Sequence, residues 1–276
     1  MSTQTATARS VAAPTSVLTR ERDAGIAILV LNRPQARNSL SESLIGALSA
    51  AFTEIADDRT VRAVVLAANG PAFCAGHDLK ELTARRSDAD GGRGHFRHVI
   101  SASSAMMQQI VTLPQPVIAA VQGVASAAGC QLVASCDLAV ASSDAKFVTP
   151  GVDIGLFCST PMVALSRNVA RKHAMEMLLT GDMISAERAA AIGLINRVAM
   201  PGEERKAALK LAKKVASKSS YVLKIGKQAF YRQAELGLAD AYKYASEVMT
   251  GNMMMRDAEE GIGAFIEKRD PKWEDR

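Results

Sequence analysis

The chain has 276 residues, 48% of them hydrophobic, which fills one large α/β domain whose core needs no staples. No apolar run approaches a membrane span. The four cysteines, Cys74, Cys130, Cys136 and Cys158, form no CxxC pair and argue against a zinc site or a disulfide framework. Net charge is +5, which suits a polyanionic small molecule. No Lys/Arg block is interleaved with aromatics, so a nucleic-acid partner is not expected.

Met1 to Ser16 is Ser/Thr/Ala-rich, lacks an apolar signal segment, and is expected to be a disordered tail. A cytoplasmic protein is expected, or a mitochondrial one if this tail is a transit peptide. Gly25 to Leu31 is short, apolar and rich in β-branched residues, and predicts a strand. Ser41 to Ala56 places Leu44, Ile45, Leu48, Phe52 and Ile55 at helical spacing. Val61 to Ala67 predicts a second strand. Asp78 stands where it can cap a short helix. Ser87 to Gly94 predicts a mobile loop, and Phe96 to Thr112 a helix stopped by Pro114 and Pro116.

Val117 to Val121 predicts a buried strand, Gly129 to Cys136 a helix, and Leu138 to Ala141 and Lys146 to Val148 two more strands. Thr160-Pro161 predicts the cap and first turn of a helix over Met162 to Asn168. Ser185 predicts a cap for a helix that Gly193 closes. From Glu203 onward the pattern is helical and amphipathic. Strands alternating with helices and then giving way to helices predict a parallel α/β core with a helical C-terminal module.

Six segments carry a resemblance. They are Leu31-Asn-Arg-Pro-Gln-Ala-Arg-Asn-Ser-Leu40, Ala72-Phe-Cys-Ala-Gly-His-Asp-Leu-Lys80, Pro116-Val-Ile-Ala-Ala-Val-Gln-Gly123, Ala127-Ala-Gly-Cys-Gln-Leu132, Leu179-Thr-Gly-Asp-Met-Ile-Ser-Ala186 and Gly263-Ala-Phe-Ile-Glu-Lys-Arg269. In this order and spacing the chain resembles the crotonase (enoyl-CoA hydratase/isomerase) family from about Val17 to its end. Gly76 to Thr83, Ala127 to Asp137, and Thr149 to Val152 with Gly155 to Pro161 mark one subgroup within it. The resemblance implies a ClpP/crotonase-like spiral of ββα units. It divides the chain into a tail (1–16), a spiral core (17–200) and a helical module (201–276) for trimerisation and CoA capping. The expected assembly is a homotrimer or a dimer of trimers. The implied ligand is an acyl-CoA or enoyl-CoA thioester, and no cofactor is implied beyond the CoA of the substrate.

Family chemistry passes through a thioester enolate, whose oxygen needs donors fixed in advance. The resemblance maps these onto the backbone N–H groups of His77 and Ala128. Ala128 stands where glycine is more usual, which its backbone tolerates only at negative φ. The His77 imidazole is either an acid/base group or a packing side chain whose backbone alone acts. The two hydratase glutamates map onto Gln131 and Gly151, and an alternative acid/base position maps onto Ser159. None is a carboxylate, so none takes a proton readily at neutral pH. Asp153 is expected to order a turn, Asp137 and Asp144 to be structural, and Cys130 and Cys158 to be small buried filler. Arg37, Lys80, Phe265 and Lys268 map onto CoA contacts.

The expected function is that of a crotonase-family protein of fatty-acid metabolism in which classical hydration is weak or absent. The alternative is a non-catalytic acyl-CoA-binding or regulatory protein on the same fold.

Overall fold

The first predicted strand is buried from Ile26 to Leu31 because one face packs into the main core and the other under a C-terminal helix. A computed structural model describes residues 16–276. The expected tail therefore falls outside the described residues, except for Ser16. β1 (Leu18–Asp23) forms a hairpin with β2 (Ile26–Leu31), and β2 pairs in parallel with β3 (Ala63–Ala68). A strand covered on both faces reads as continuous apolar sequence. β1 carries no such signal, since Leu-Thr-Arg-Glu-Arg-Asp sits at the sheet edge with its polar side chains outward. Helix α1 (Glu42–Asp57) joins β2 to β3. The Ser41 side chain caps it by accepting from the Leu44 N–H, and the predicted apolar stripe is buried.

Each further turn of chain lays one strand in this sheet and one in a second. β3 leads to β4 (Ala72–Cys74), α2 (Leu79–Ala84) and α3 (Arg93–Thr112). β5 (Val117–Val121) leads to β6 (Val124–Ser126) and α4 (Ala128–Ser135). β7 (Leu138–Ser142) leads to β8 (Lys146–Val148), α5 (Pro161–Leu165) and α6 (Arg171–Thr180). β9 (Ile184–Ser185), α7 (Ala186–Ala191) and β10 (Arg197–Ala199) complete the two sheets. The first has the order β1-β2-β3-β5-β7-β10 and the second β4-β6-β8-β9. This is the spiral of ββα units that the resemblance implied. The second-sheet strands β4 and β6 are too short for sequence alternation to reveal them.

Two local expectations need correction. The segment read as a mobile loop is tied down: Asp90 accepts from the Gly92 and Gly94 N–H groups at 2.9 and 2.7 Å, and α3 starts at Arg93. Pro161 opens α5 as predicted, but Thr160 makes no side-chain cap and the helix ends at Leu165, short of Asn168.

The C-terminal module is α8 (Glu204–Ala216), α9 (Ser220–Gln233), α10 (Leu238–Met253) and α11 (Arg256–Glu267). Ala208, Leu211 and Ala212 of α8 pack on Ile26, Ile28, Val65, Ile118 and Val140 of the first sheet. α9 is anchored by a buried ion pair. Lys227 Nζ donates to Asp137 at 2.7 Å and to the carbonyls of Ile110 and Gln115 at 2.8 and 3.1 Å. Asp137 also accepts from the Tyr231 hydroxyl and the Val117 N–H, which fits the structural role expected of it. Beyond α11 the chain turns back: Asp257 accepts from the Glu274 and Asp275 N–H groups, and Asp275 accepts from Arg62. No helix among the described residues is long and apolar enough to cross a membrane.

Candidate active site

His77 follows β4 and forms an isolated parallel bridge with Leu40. The Leu40 N–H donates to the Gly76 carbonyl at 2.7 Å, and the Asp78 N–H donates to the Leu40 carbonyl at 3.1 Å. In extended chain, successive peptide groups point to opposite sides. With the Gly76 carbonyl and the Asp78 N–H aimed at Leu40, the His77 N–H faces the other way. Gly76 makes this turn at φ 95°, a conformation that suits glycine. A Cβ at Gly76 would lie 3.1 Å from the Ala127 Cβ and 3.5 Å from the Ala128 nitrogen. The turn that presents His77 therefore abuts the turn that presents Ala128.

Ala128 is the first residue of α4, one position earlier than the sequence suggested, so its N–H has no acceptor within the helix. Ala127 before it adopts φ 49° and ψ −115°, a strained backbone for a residue with a side chain. The strain thus falls on Ala127, and Ala128 keeps the negative φ that its methyl requires. The Ala127 N–H is held by the Val148 carbonyl at 2.9 Å. Gly129 packs so closely on β4 that a Cβ there would meet the Cys74 carbonyl oxygen at 2.1 Å. Among the described residues, neither the His77 nor the Ala128 N–H donates to a main-chain carbonyl. Two adjoining free amides, one at a helix N-terminus, form a donor pair suited to a developing oxyanion.

A family model described as enoyl-CoA hydratase/isomerase matches residues 21–276. The chain belongs to the enoyl-CoA hydratase/isomerase family. Among solved structures it is similar to an enoyl-CoA hydratase of Mycobacterium smegmatis, with a TM-score of 0.88 and 50% identity over 93% of this chain and 98% of that one. Human enoyl-CoA hydratase domain-containing protein 3 gives a TM-score of 0.88 at 44% identity, covering 93% of this chain and 100% of that one. The Xenopus laevis protein of that name, called mitochondrial, is 48% identical over 94% of this chain and 86% of its own length. These likenesses bear out the family and the subgroup that the sequence signatures marked.

None of the three positions that the resemblance assigns to acid/base groups carries a carboxylate. Gln131 lies on α4 three residues past Ala128 and is buried, its Oε1 sealed without a hydrogen-bond partner. Gly151 is also buried, and its neighbours would have to give by a few tenths of an ångström to admit a side chain. A Cβ there would lie 3.0 Å from Cys158 Sγ and the Leu156 carbonyl oxygen, and 3.1 Å from the Cys158 nitrogen. Ser159 is exposed, and its hydroxyl donates to the Phe157 carbonyl at 3.3 Å. Asp153 is exposed and its carboxylate faces Gly181. Burial pushes the thiol of Cys130 up to about 12 and raises that of Cys158, so both stay protonated near neutrality. A Cys/His nucleophile is not assembled, since neither ring nitrogen of His77 has a partner.

Arg37 and Lys80 flank the first donor. The Arg37 carbonyl accepts from the Ala75 N–H at 3.0 Å while its side chain stays exposed. Lys80 sits in the first turn of α2, which Asp78 caps. Phe265 and Lys268 are exposed on and just after α11 and are not gathered with the others. Two surface clefts, one lined by Arg20, Glu54 and Asp58 and the other by Glu42, Ile45 and His98, contain none of these residues. The unpaired amides, not a cavity, locate the site.

Burial lowers the His77 pKa below its usual value, so the imidazole is neutral at pH 7. The unfolded chain takes up this proton near the ordinary value of about 6.5, whereas the folded chain does so only at lower pH. Stability is therefore expected to fall as pH drops from about 6.5 toward the folded pKa. Urea midpoints at pH 7.5 and pH 5 check this, and His77→Gln should lose less stability over that range than the parent.

Proposed function

We propose that the protein binds an acyl-CoA or enoyl-CoA thioester with its carbonyl oxygen between the His77 and Ala128 N–H groups. The adjoining free amides, each preceded by a residue at positive φ, carry this proposal. Arg37 and Lys80, beside the first donor, attract the CoA phosphates. Phe265 and Lys268 act on CoA from a neighbouring copy, as part of a helical module that also serves assembly. Supporting this, α9 and α10 contribute no hydrophobic residue to the buried core, and Phe230, Leu238 and Tyr242 are 62–77% exposed in the single chain. A homotrimer or a dimer of trimers would cover that apolar surface. Four free cysteines suit a reducing compartment, in the cytoplasm or a mitochondrial matrix.

With Gln131 and Gly151 at the acid/base positions, water lacks a proton acceptor. General acid/base groups typically supply about 10²–10⁴-fold. Crotonyl-CoA and longer enoyl-CoAs are expected to bind in calorimetry, with loss of enoyl absorbance slower than ordinary hydratase turnover by about that factor. Hydratase-like rates would contradict this. A fully inactive protein that still binds acyl-CoA would favour the second possibility, a non-catalytic acyl-CoA-binding or regulatory role. The buried, unpartnered Oε1 of Gln131 and the tight packing around Gly151 support that alternative too, since the site retains donors but no base.

A further inference from the structure

The segment between β2 and α1 contains two consecutive left-handed residues with side chains, Arg37 at φ 50° and Asn38 at φ 53°. Such conformations persist only where the surroundings over-determine them. The Asn38 side chain supplies much of that determination. It is fully buried, and its amide uses both donors and its carbonyl oxygen. Nδ2 donates to the carbonyls of Asn69 and Ala72, each at 2.8 Å, and Oδ1 accepts from the Arg33 N–H at 2.8 Å. Asn69 and Ala72 bracket the entry to β4, the strand that leads to His77.

The same segment holds His77 from the other side. Arg37 accepts from Ala75, while Leu40 bonds both Gly76 and Asp78. A second contact locks this register. Arg33 pairs with Asp78 at 3.0 Å and donates to the Ser39 carbonyl at 2.7 Å, and the Ser39 hydroxyl also reaches Asp78 at 3.2 Å. The pair is largely shielded, with side-chain exposures of 17% and 12%. The other Asp78 oxygen caps α2 at the Lys80 and Glu81 N–H groups.

We infer that Asn38 and the Arg33–Asp78 pair are positioning residues that fix the direction of the His77 N–H. They act through the backbone of residues 75–78 and touch no ligand themselves. This rests on the proposed oxyanion role of His77, and the test separates the two. A [1-13C]acyl-CoA bound to the parent protein should show its thioester carbonyl stretch at lower frequency than in water. Asn38→Gly keeps the left-handed backbone accessible but removes the side-chain bonds. It is expected to lose the greater part of that shift, with CoA affinity little changed. Any turnover should fall by about 100-fold in kcat with KM nearly constant. Asp78→Asn, which weakens the second lock, should lose part of the shift and serves if Asn38→Gly fails to fold. Lys227→Met, which destabilises a distant contact, should keep the full shift. A folded Asn38→Gly or Asp78→Asn protein with the parental shift would overturn the inference alone. A parent protein with no shift would overturn the oxyanion role and the inference with it.

Discussion

Gly76→Ala is expected to remove most of the polarisation of a bound enoyl thioester while CoA affinity stays close to that of the parent. Two effects combine at this position. Alanine is strained at φ 95°, and its methyl would press at 3.1 Å on both the Ala127 Cβ and the Ser126 carbonyl oxygen. Relief of either one moves the His77 peptide away from the Ala128 turn. Loss of one preorganised donor typically costs about 3–4 kcal/mol of transition-state stabilisation, so any turnover should fall by about 10²–10³-fold. The red shift of a bound enoyl thioester in difference absorbance reports polarisation without requiring turnover. Thermal melts of parent and variant show whether the fold survives. A folded variant with the parental red shift would mean that the His77 amide does not face the thioester.

Lys227→Met should produce the largest loss of stability, about 3–5 kcal/mol, because it leaves Asp137 buried without its counter-charge. Burial lowers the pKa of Lys227, while the charge and hydrogen bond of Asp137 oppose that shift. Side-chain exposures of 6% and 15% leave little water to replace the missing partner. Asp137→Asn in the Lys227→Met background should recover part of the loss. The amide removes the unpaired charge and still offers an acceptor to the Val117 N–H or the Tyr231 hydroxyl. Urea unfolding of the three proteins measures this. A loss well under 1 kcal/mol for Lys227→Met would show that α9 is held by apolar contact instead.

Much of the fold was legible in the sequence because its central strands are buried on both faces. Ile26–Leu31 and Val117–Val121 declare themselves as unbroken apolar runs, and Ser41 and Ser185 mark helix starts that the structure confirms by side-chain caps. The polar edge strand β1 and the three-residue strands β4 and β6 were not legible, since sheet pairing rather than local pattern defines them. At the site, the positions of His77, Ala128, Gln131 and Gly151 are implied by the family resemblance and the spacing of its motifs. What spacing does not carry is contact between distant segments. Nothing in the sequence around Asn38 announces that its amide spans Asn69 and Ala72, nor that Cys158 fills the space beside Gly151. The strain at Ala127 is not legible either, because nothing in a run of small residues shows which one takes the positive φ.

The most direct test is a crystal structure with a stable acyl-CoA analogue bound. The thioester oxygen should lie about 2.7–3.1 Å from both the His77 and the Ala128 nitrogens. A thioester oxygen bound elsewhere, or reached by only one of these amides, would contradict the account.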